Sequence, residues 1–291
     1  MEDRVQLDGI FTYIERQKSM VENVIDKDEE NYKKVQQRWR EKVWRGYSKL
    51  KEAGFEEGQT LFLIAAYFAG KPDETITPLL RRLQMVMRNR KDIISGGMIA
   101  ASYYGTEELE MRIPVLEDGV RNLYEDESCI EALTGSIMIA DGGPAEIAKA
   151  IQWYLFFVKN GFRVKNCKMA RLIGILSVIS SSANLLGTEL LKRAHENTSN
   201  KGIKESNKQE DNIFQEYFCE VTCAYIQELQ QKEQDRIRRL DRTSYKLLTG
   251  EKNVTAADYD AEEDISLNGS NLLTGMKQEV DLLIAAIHFG I

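Results

Sequence analysis

Apolar positions along the chain fall into two kinds of segment that alternate. In one, apolar residues recur at spacings of three and four with charges between them, the mark of a helix with one buried face. In the other, nearly every position is apolar and glycine stands at the end. The stretch Trp44 to Gly70 holds one of each. Tyr47 and Leu50 share a face, and Ala53-Gly54-Phe55 closes the first helix, with Gly54 suited to a left-handed residue just past the helix end. After the polar turn Glu56 to Thr60, the run Leu61 to Ala69 predicts a helix enclosed by neighbours, which Gly70-Lys71-Pro72-Asp73 terminates.

The same grammar returns at Trp153 to Ile179, where Lys159-Asn160-Gly161-Phe162 closes an aromatic helix before the apolar run. Two weaker copies lie between. Leu79 to Met87 is followed by Gly96 to Ala101, and Val115 to Tyr124 by Leu133 to Ala140. Ile64, Ile99, Ile137 and Ile173 are then spaced 35, 38 and 36 residues apart, a period typical of helical hairpins that must stack to bury their apolar faces. With β-branched alternation scarce and only four prolines, the expected fold is all-α: an α-solenoid-like stack of about four helical hairpins, with a C-terminal helical segment.

This divides the chain into a charged helical segment (1–43), the hairpin array (44–182), a short helix and polar linker (183–212), and a C-terminal part (213–291). Thr75 with Pro78, and Pro114, are expected to start the second and third hairpins, and Asp141-Gly142-Gly143-Pro144 to stop one helix and start the next. Phe214, Phe218, Val221, Tyr225 and Leu229 stripe a long helix over 213–242 that ends in charge and could pair two copies of the chain. The last apolar helix, 282–290, echoes 63–68 and is expected to dock on the array.

The net charge of −7 argues against a general nucleic-acid binder, which gains affinity by neutralising phosphates, and no apolar run approaches the length that spans a bilayer. Four cysteines, at 129, 167, 219 and 223, show no paired framework, so a reducing, cytoplasmic setting is expected.

Little in the sequence carries recognisable chemistry. The two histidines, His195 and His288, cannot build a multi-histidine metal site, and each is expected to be a packed or surface residue. Cys219 and Cys223 lie one helical turn apart but lack two further donors, so no metal and no cofactor are expected. Asp258 to Asp264 alternates like a calcium loop, yet Glu263 stands where glycine is needed and Gly269 where a bidentate glutamate belongs. The basic groups Arg81, Arg82, Arg88, Arg90 and Lys91, and Arg236 to Arg242, read as solvated helix faces or as seats for an acidic partner.

With the Lys-Glu-Ala-Gly-Phe and Lys-Asn-Gly-Phe closures placed, the chain resembles a bacterial family described only as a domain of unknown function. Tyr47 to Ala69 and Tyr154 to Ile179 carry the likeness, Asp281 to Ile287 fits it less specifically, and Asn197 to Ser270 departs from it. The resemblance implies no activity and supplies no catalytic residue.

The leading functional expectation is a non-catalytic scaffold whose groove, lined by the second helix of each pair, binds a protein or peptide. Tyr67, Tyr103, Tyr104 and Arg171 are the candidate groove residues. The alternative is a small-molecule binder or enzyme with a pocket enclosed by helices, in which Glu107, Glu108 or Glu110 would face Arg112 or Arg171. A nucleic-acid binder using the arginine groups comes third.

Overall fold

The computed structural model describes residues 7, 9–14, 29–71, 76–140, 142–179, 182–200, 213–232 and 277–290, and these are helical with short connections and no strand among them. The helices are α1 (9–14), α2 (Glu29–Glu52), α3 (Gln59–Ala69), α4 (Ile76–Val86), α5 (Ile93–Ala101), α6 (Thr106–Val120), α7 (Glu127–Ile139), α8 (Pro144–Lys159), α9 (Cys167–Ile179), α10 (Ala183–Asn200), α11 (213–232) and α12 (Lys277–Phe289).

The apolar-all-round segments form the interior. In α3, Leu61 to Phe68 are all buried, and α5, α7 and α9 are buried along nearly their whole length. These four pack in series, α3 on α5, α5 on α7 and α7 on α9, while α2, α4, α6 and α8 cover them from outside. α12 then packs on both α9 and α3, and on α7, so the inner helices form a closed circuit rather than one wall of an open groove. The docking expected of the last helix is therefore observed, and Val280 and Leu282 to Ile287 are fully buried by it. α1 braces this closure: Phe11 sits edge-on to Phe62 at 4.5 Å and to Trp39, while Tyr13 stacks on His288 at 5.0 Å.

Two aromatic clusters fill the hairpin bases. Trp44, Tyr47, Phe62 and Phe11 join α2 to α3, and Trp153, Phe157, Phe162 and Phe218 join α8 to α9 and α11. Both predicted closures have the same geometry. Gly54 (φ 91°) and Gly161 (φ 80°) are left-handed, and the amides of Phe55 and Phe162 reach back to the carbonyls of Leu50 and Phe157 at 3.2 and 3.0 Å.

Several boundaries differ from the expectation. α2 runs unbroken across residue 43, because its charged half keeps the helical stripe on which Trp39 and Val43 are buried. Pro114 lies inside α6, which starts eight residues earlier at Thr106 with Glu107 and Glu108 in its first turn. Pro144 does start α8, where the Glu146 carboxylate accepts from the Gly143 amide at 2.7 Å. Within 213–232 the stripe of Phe218, Val221, Tyr225 and Leu229 is buried against the same chain. Thr75, the rest of the linker, the arginines at 236–242 and the acidic run at 258–264 lie outside the described residues.

Candidate functional site

The four residues expected to face a groove occupy three different settings. Tyr67 and Arg171 are sealed in the interior, Tyr103 is exposed with the Lys71 ammonium 3.8 Å over its ring, and Tyr104 is half-buried under the Arg112 guanidinium. Lys71 also forms a buried pair with Glu279 of α12 at 3.0 Å, which ties the end of α3 to the closing helix. Of the carboxylates set opposite Arg112, only Glu108 meets it, at 2.8 Å along the same helix. Tyr67 and Arg171 do come together. Burial pushes the Tyr67 hydroxyl far above its ordinary range, Arg171 pulls it back down, and Glu279 and Asp92 push it further up.

The polar centre of the molecule is the short link Arg90-Lys91-Asp92 ahead of α5. Asp92 accepts from Arg171 Nη2 at 2.9 and 3.0 Å and from the Ser95 hydroxyl, and its own amide donates to Glu131 on α7 at 2.5 Å. Glu131 also takes the Lys91 amide, at 2.9 and 3.1 Å. The start of α5 is thus fixed to α7 by one carboxylate and to α9 by one guanidinium. Both side chains of the Arg171 to Asp92 pair are at least nine-tenths buried, so removing either one would leave an uncompensated buried charge.

The outer side of this link opens into a cleft of about 470 Å³ between the end of α4, α6 and α7. Its walls carry Arg88, Arg90 and Arg121 against Glu110, Glu117, Glu127 and Glu131. Some of that charge is already paired. Arg121 holds Glu127 at 2.5 Å, Arg90 Nη2 holds Glu117, and Glu131 faces the two amides. Two groups are not paired: Arg88 and Glu110 have no partner among the described residues. The Arg90 side chain is only 6% exposed, and its Nη1 is buried without an acceptor. A buried donor left in that state costs about 1–3 kcal/mol, more for a charged group, so a ligand oxygen placed there would be favoured. Burial raises the Glu117 carboxyl above the usual range even though the neighbouring Arg90 lowers it, with Glu131 and Glu127 adding to the rise.

The sequence marks Arg88 and Arg90 as part of a solvated basic face or a seat for an acidic partner. The structure instead folds Arg90 inward onto Glu117, a partner on another helix that no local pattern reveals. The cleft walls include no histidine, cysteine, serine or lysine. Among the described residues no three His, Cys, Asp or Glu side chains gather as a metal site would require, and no helix is long and apolar enough to cross a membrane. Comparison with family models, with curated proteins and with solved structures finds no match to the chain.

Proposed function

We propose that this protein is a cytoplasmic, non-catalytic binder of a small polar ligand, held in the charged cleft beside α5. The observation that carries this reading is the buried, acceptor-less Nη1 of Arg90 in a cleft whose remaining free groups are one cation, Arg88, and one anion, Glu110. A ligand with an acidic group for the two arginines and an amine or hydroxyl for Glu110 would use all three. The cleft volume lies within the range of about 300–1,000 Å³ usual for small-molecule sites, and bidentate capture of an oxyanion is what a guanidinium does best.

Thermal-shift titration against small amino acids, hydroxy acids and phosphate esters tests this. A true ligand at a hundredfold its dissociation constant adds about 2.7 kcal/mol of stability, a rise of several degrees in Tm. The rise should vanish in Arg88→Ala/Glu110→Ala, whose partner-free side chains can be cut without disturbing the fold. A panel in which no member shifts Tm, or a shift that persists in that variant, would remove the cleft from consideration.

The scaffold reading has its own support, now on the outer surface rather than in a groove. Met111 and Val115 of α6, Leu155 and Val158 of α8, and Leu185 of α10 are 48–79% exposed, on helices that pack side by side, α6 on α8 and α8 on α10, and it is a contiguous apolar patch that marks a contact surface. On this reading the partner is a protein, and it binds independently of the cleft.

A further inference from the structure

One face of α6 lays out the charged cleft in order along the chain: Glu110, then Ile113 and Pro114, then Glu117. A helix rises about 1.5 Å per residue, so Glu110 and Glu117 stand roughly 10 Å apart along its axis, two turns. Both side chains lean toward the start of the helix, so the spacing of their carboxylates follows that of their backbones.

The two ends of this line suit opposite charges. At the Glu117 end, Arg90 gives Nη2 to Glu117 and keeps Nη1 buried without an acceptor, and Arg88, two residues before it, supplies a second guanidinium. That end takes a carboxylate, which Arg90 bridges to Glu117 while the charge of Arg88 offsets the repulsion between the two acids. At the other end Glu110 is exposed and has no partner among the described residues. Pro114 adds to it. A proline has no amide hydrogen, so the Glu110 carbonyl lacks the donor that residue 114 would otherwise give it, on the helix face that lines the cleft. A carboxylate and a carbonyl on one residue suit a primary ammonium, which has three N–H donors and no acceptor.

We infer, on the reading that this cleft binds a small polar ligand, that the ligand is a free di- or tripeptide, its C-terminal carboxylate between Arg88 and Arg90 and its N-terminal ammonium at Glu110. Length decides the class. An extended chain advances about 3.3–3.6 Å per residue, so the terminal charges of such a peptide stand roughly 7–10 Å apart, close to two turns of α6. A single α-amino acid carries both charges on one carbon and reaches only one end. A hydroxy acid or phosphate ester satisfies the arginines but brings no cation for Glu110. Between the ends, Ile113 and Pro114 give the peptide side chains an apolar wall, and Asn89 offers a donor and an acceptor to a peptide group. Direction follows from burial: the Arg90 side chain is buried and Glu110 exposed, so the C-terminus enters first and the N-terminus stays at the mouth.

Isothermal titration of the full chain with trialanine, its N-acetyl and C-amide forms, alanine, pentaalanine, lactate and inorganic phosphate tests this. Trialanine should bind tightest, and blocking either terminus, shortening to alanine or lengthening to pentaalanine should each weaken binding at least about tenfold. In Glu110→Gln the N-acetyl penalty should shrink below about threefold while the C-amide penalty stays, and in Arg88→Ala the reverse should hold. Pro114→Ala supplies the missing amide, so it should weaken trialanine about threefold and leave the N-acetyl form unchanged. Lactate or phosphate binding that is lost in Arg88→Ala, with no binding of trialanine, would overturn the peptide assignment and leave the cleft as a binding site. No binding by any probe would remove both. Affinity that rises through pentaalanine and ignores N-acetylation would also overturn the assignment, in favour of the C-terminal tail of a protein.

Discussion

Asp92 is the residue at which three distant parts of the chain meet. Its carboxylate holds Arg171 and Ser95, and its amide donates to Glu131. Removing the charge at either end of the Arg171 pair leaves the other end buried and uncompensated. Asp92→Asn and Arg171→Met should therefore each lower the unfolding free energy by about 3 kcal/mol, and the double variant should lose clearly less than the sum. Urea unfolding checks this. Single-variant losses below about 0.5 kcal/mol, the level of an ordinary surface change, would mean that the start of α5 is held by Glu131 alone. None of this was visible in the sequence, where Arg171 was picked out as a groove residue and Asp92 was not singled out. A buried ion pair spanning 79 residues leaves no local pattern.

At the scale of elements, the inner helices approach closely through small residues. A Cβ on Gly174 would come within 2.6 Å of the Ser136 Cβ and 2.9 Å of the Leu133 carbonyl oxygen, and one on Gly135 would come within 2.9 Å of the Ser95 Cβ. Part of each obstruction is backbone or lies next to it, so relief requires the helices to separate. Gly174→Ala and Gly135→Ala should each cost about 1–3 kcal/mol by overpacking, against the gain of about 1 kcal/mol expected from helix propensity alone. Gly105→Ala, with nothing within 4 Å of the added atom, should be close to neutral. A gain in thermal stability in Gly174→Ala would contradict the close approach of α7 and α9.

The elements legible in the sequence were those whose cause is local. The runs 61–69, 133–140 and 282–287 announced themselves because each helix is buried on every side, and the Gly54 and Gly161 closures because only glycine takes the left-handed position without strain. What escaped was set by distant packing. α2 looked like two pieces because its charged half buries so thin a stripe, and Pro114 looked like a helix start, although α6 accommodates it in mid-helix. The charged cleft is a product of α4, α6 and α7 lying side by side, which no single stretch encodes.

For the whole molecule, closure of the inner circuit by α12 replaces an open groove with a sealed interior and leaves the charged cleft at its edge. That interior has a consequence for pH. Tyr13, Tyr67 and Tyr124, with Cys219 and Cys223, all hold their protons above their ordinary values, with burial the main cause for each. A group raised in this way contributes stability that is complete below its unfolded-state value and is lost as pH climbs toward its folded-state value. The unfolded thiols ionise from 9.0, and Cys219 in the folded chain only at about 11. The urea midpoint should therefore fall between pH 9 and 11; Cys167, shifted the other way, acts below pH 9 and leaves that interval unchanged. A midpoint that holds steady across that interval would show the interior to be wetter than it is drawn.

The central claim, a small polar ligand in the charged cleft, is tested most directly by native mass spectrometry of the full chain purified from the cells that make it, beside Arg90→Lys prepared in the same way. The account predicts a bound small-molecule mass on the wild type, reduced or absent in Arg90→Lys because an ammonium cannot serve Glu117 and a ligand oxyanion in one plane. A bare wild-type mass, or the same adduct retained equally by Arg90→Lys and by Arg88→Ala/Glu110→Ala, would contradict it.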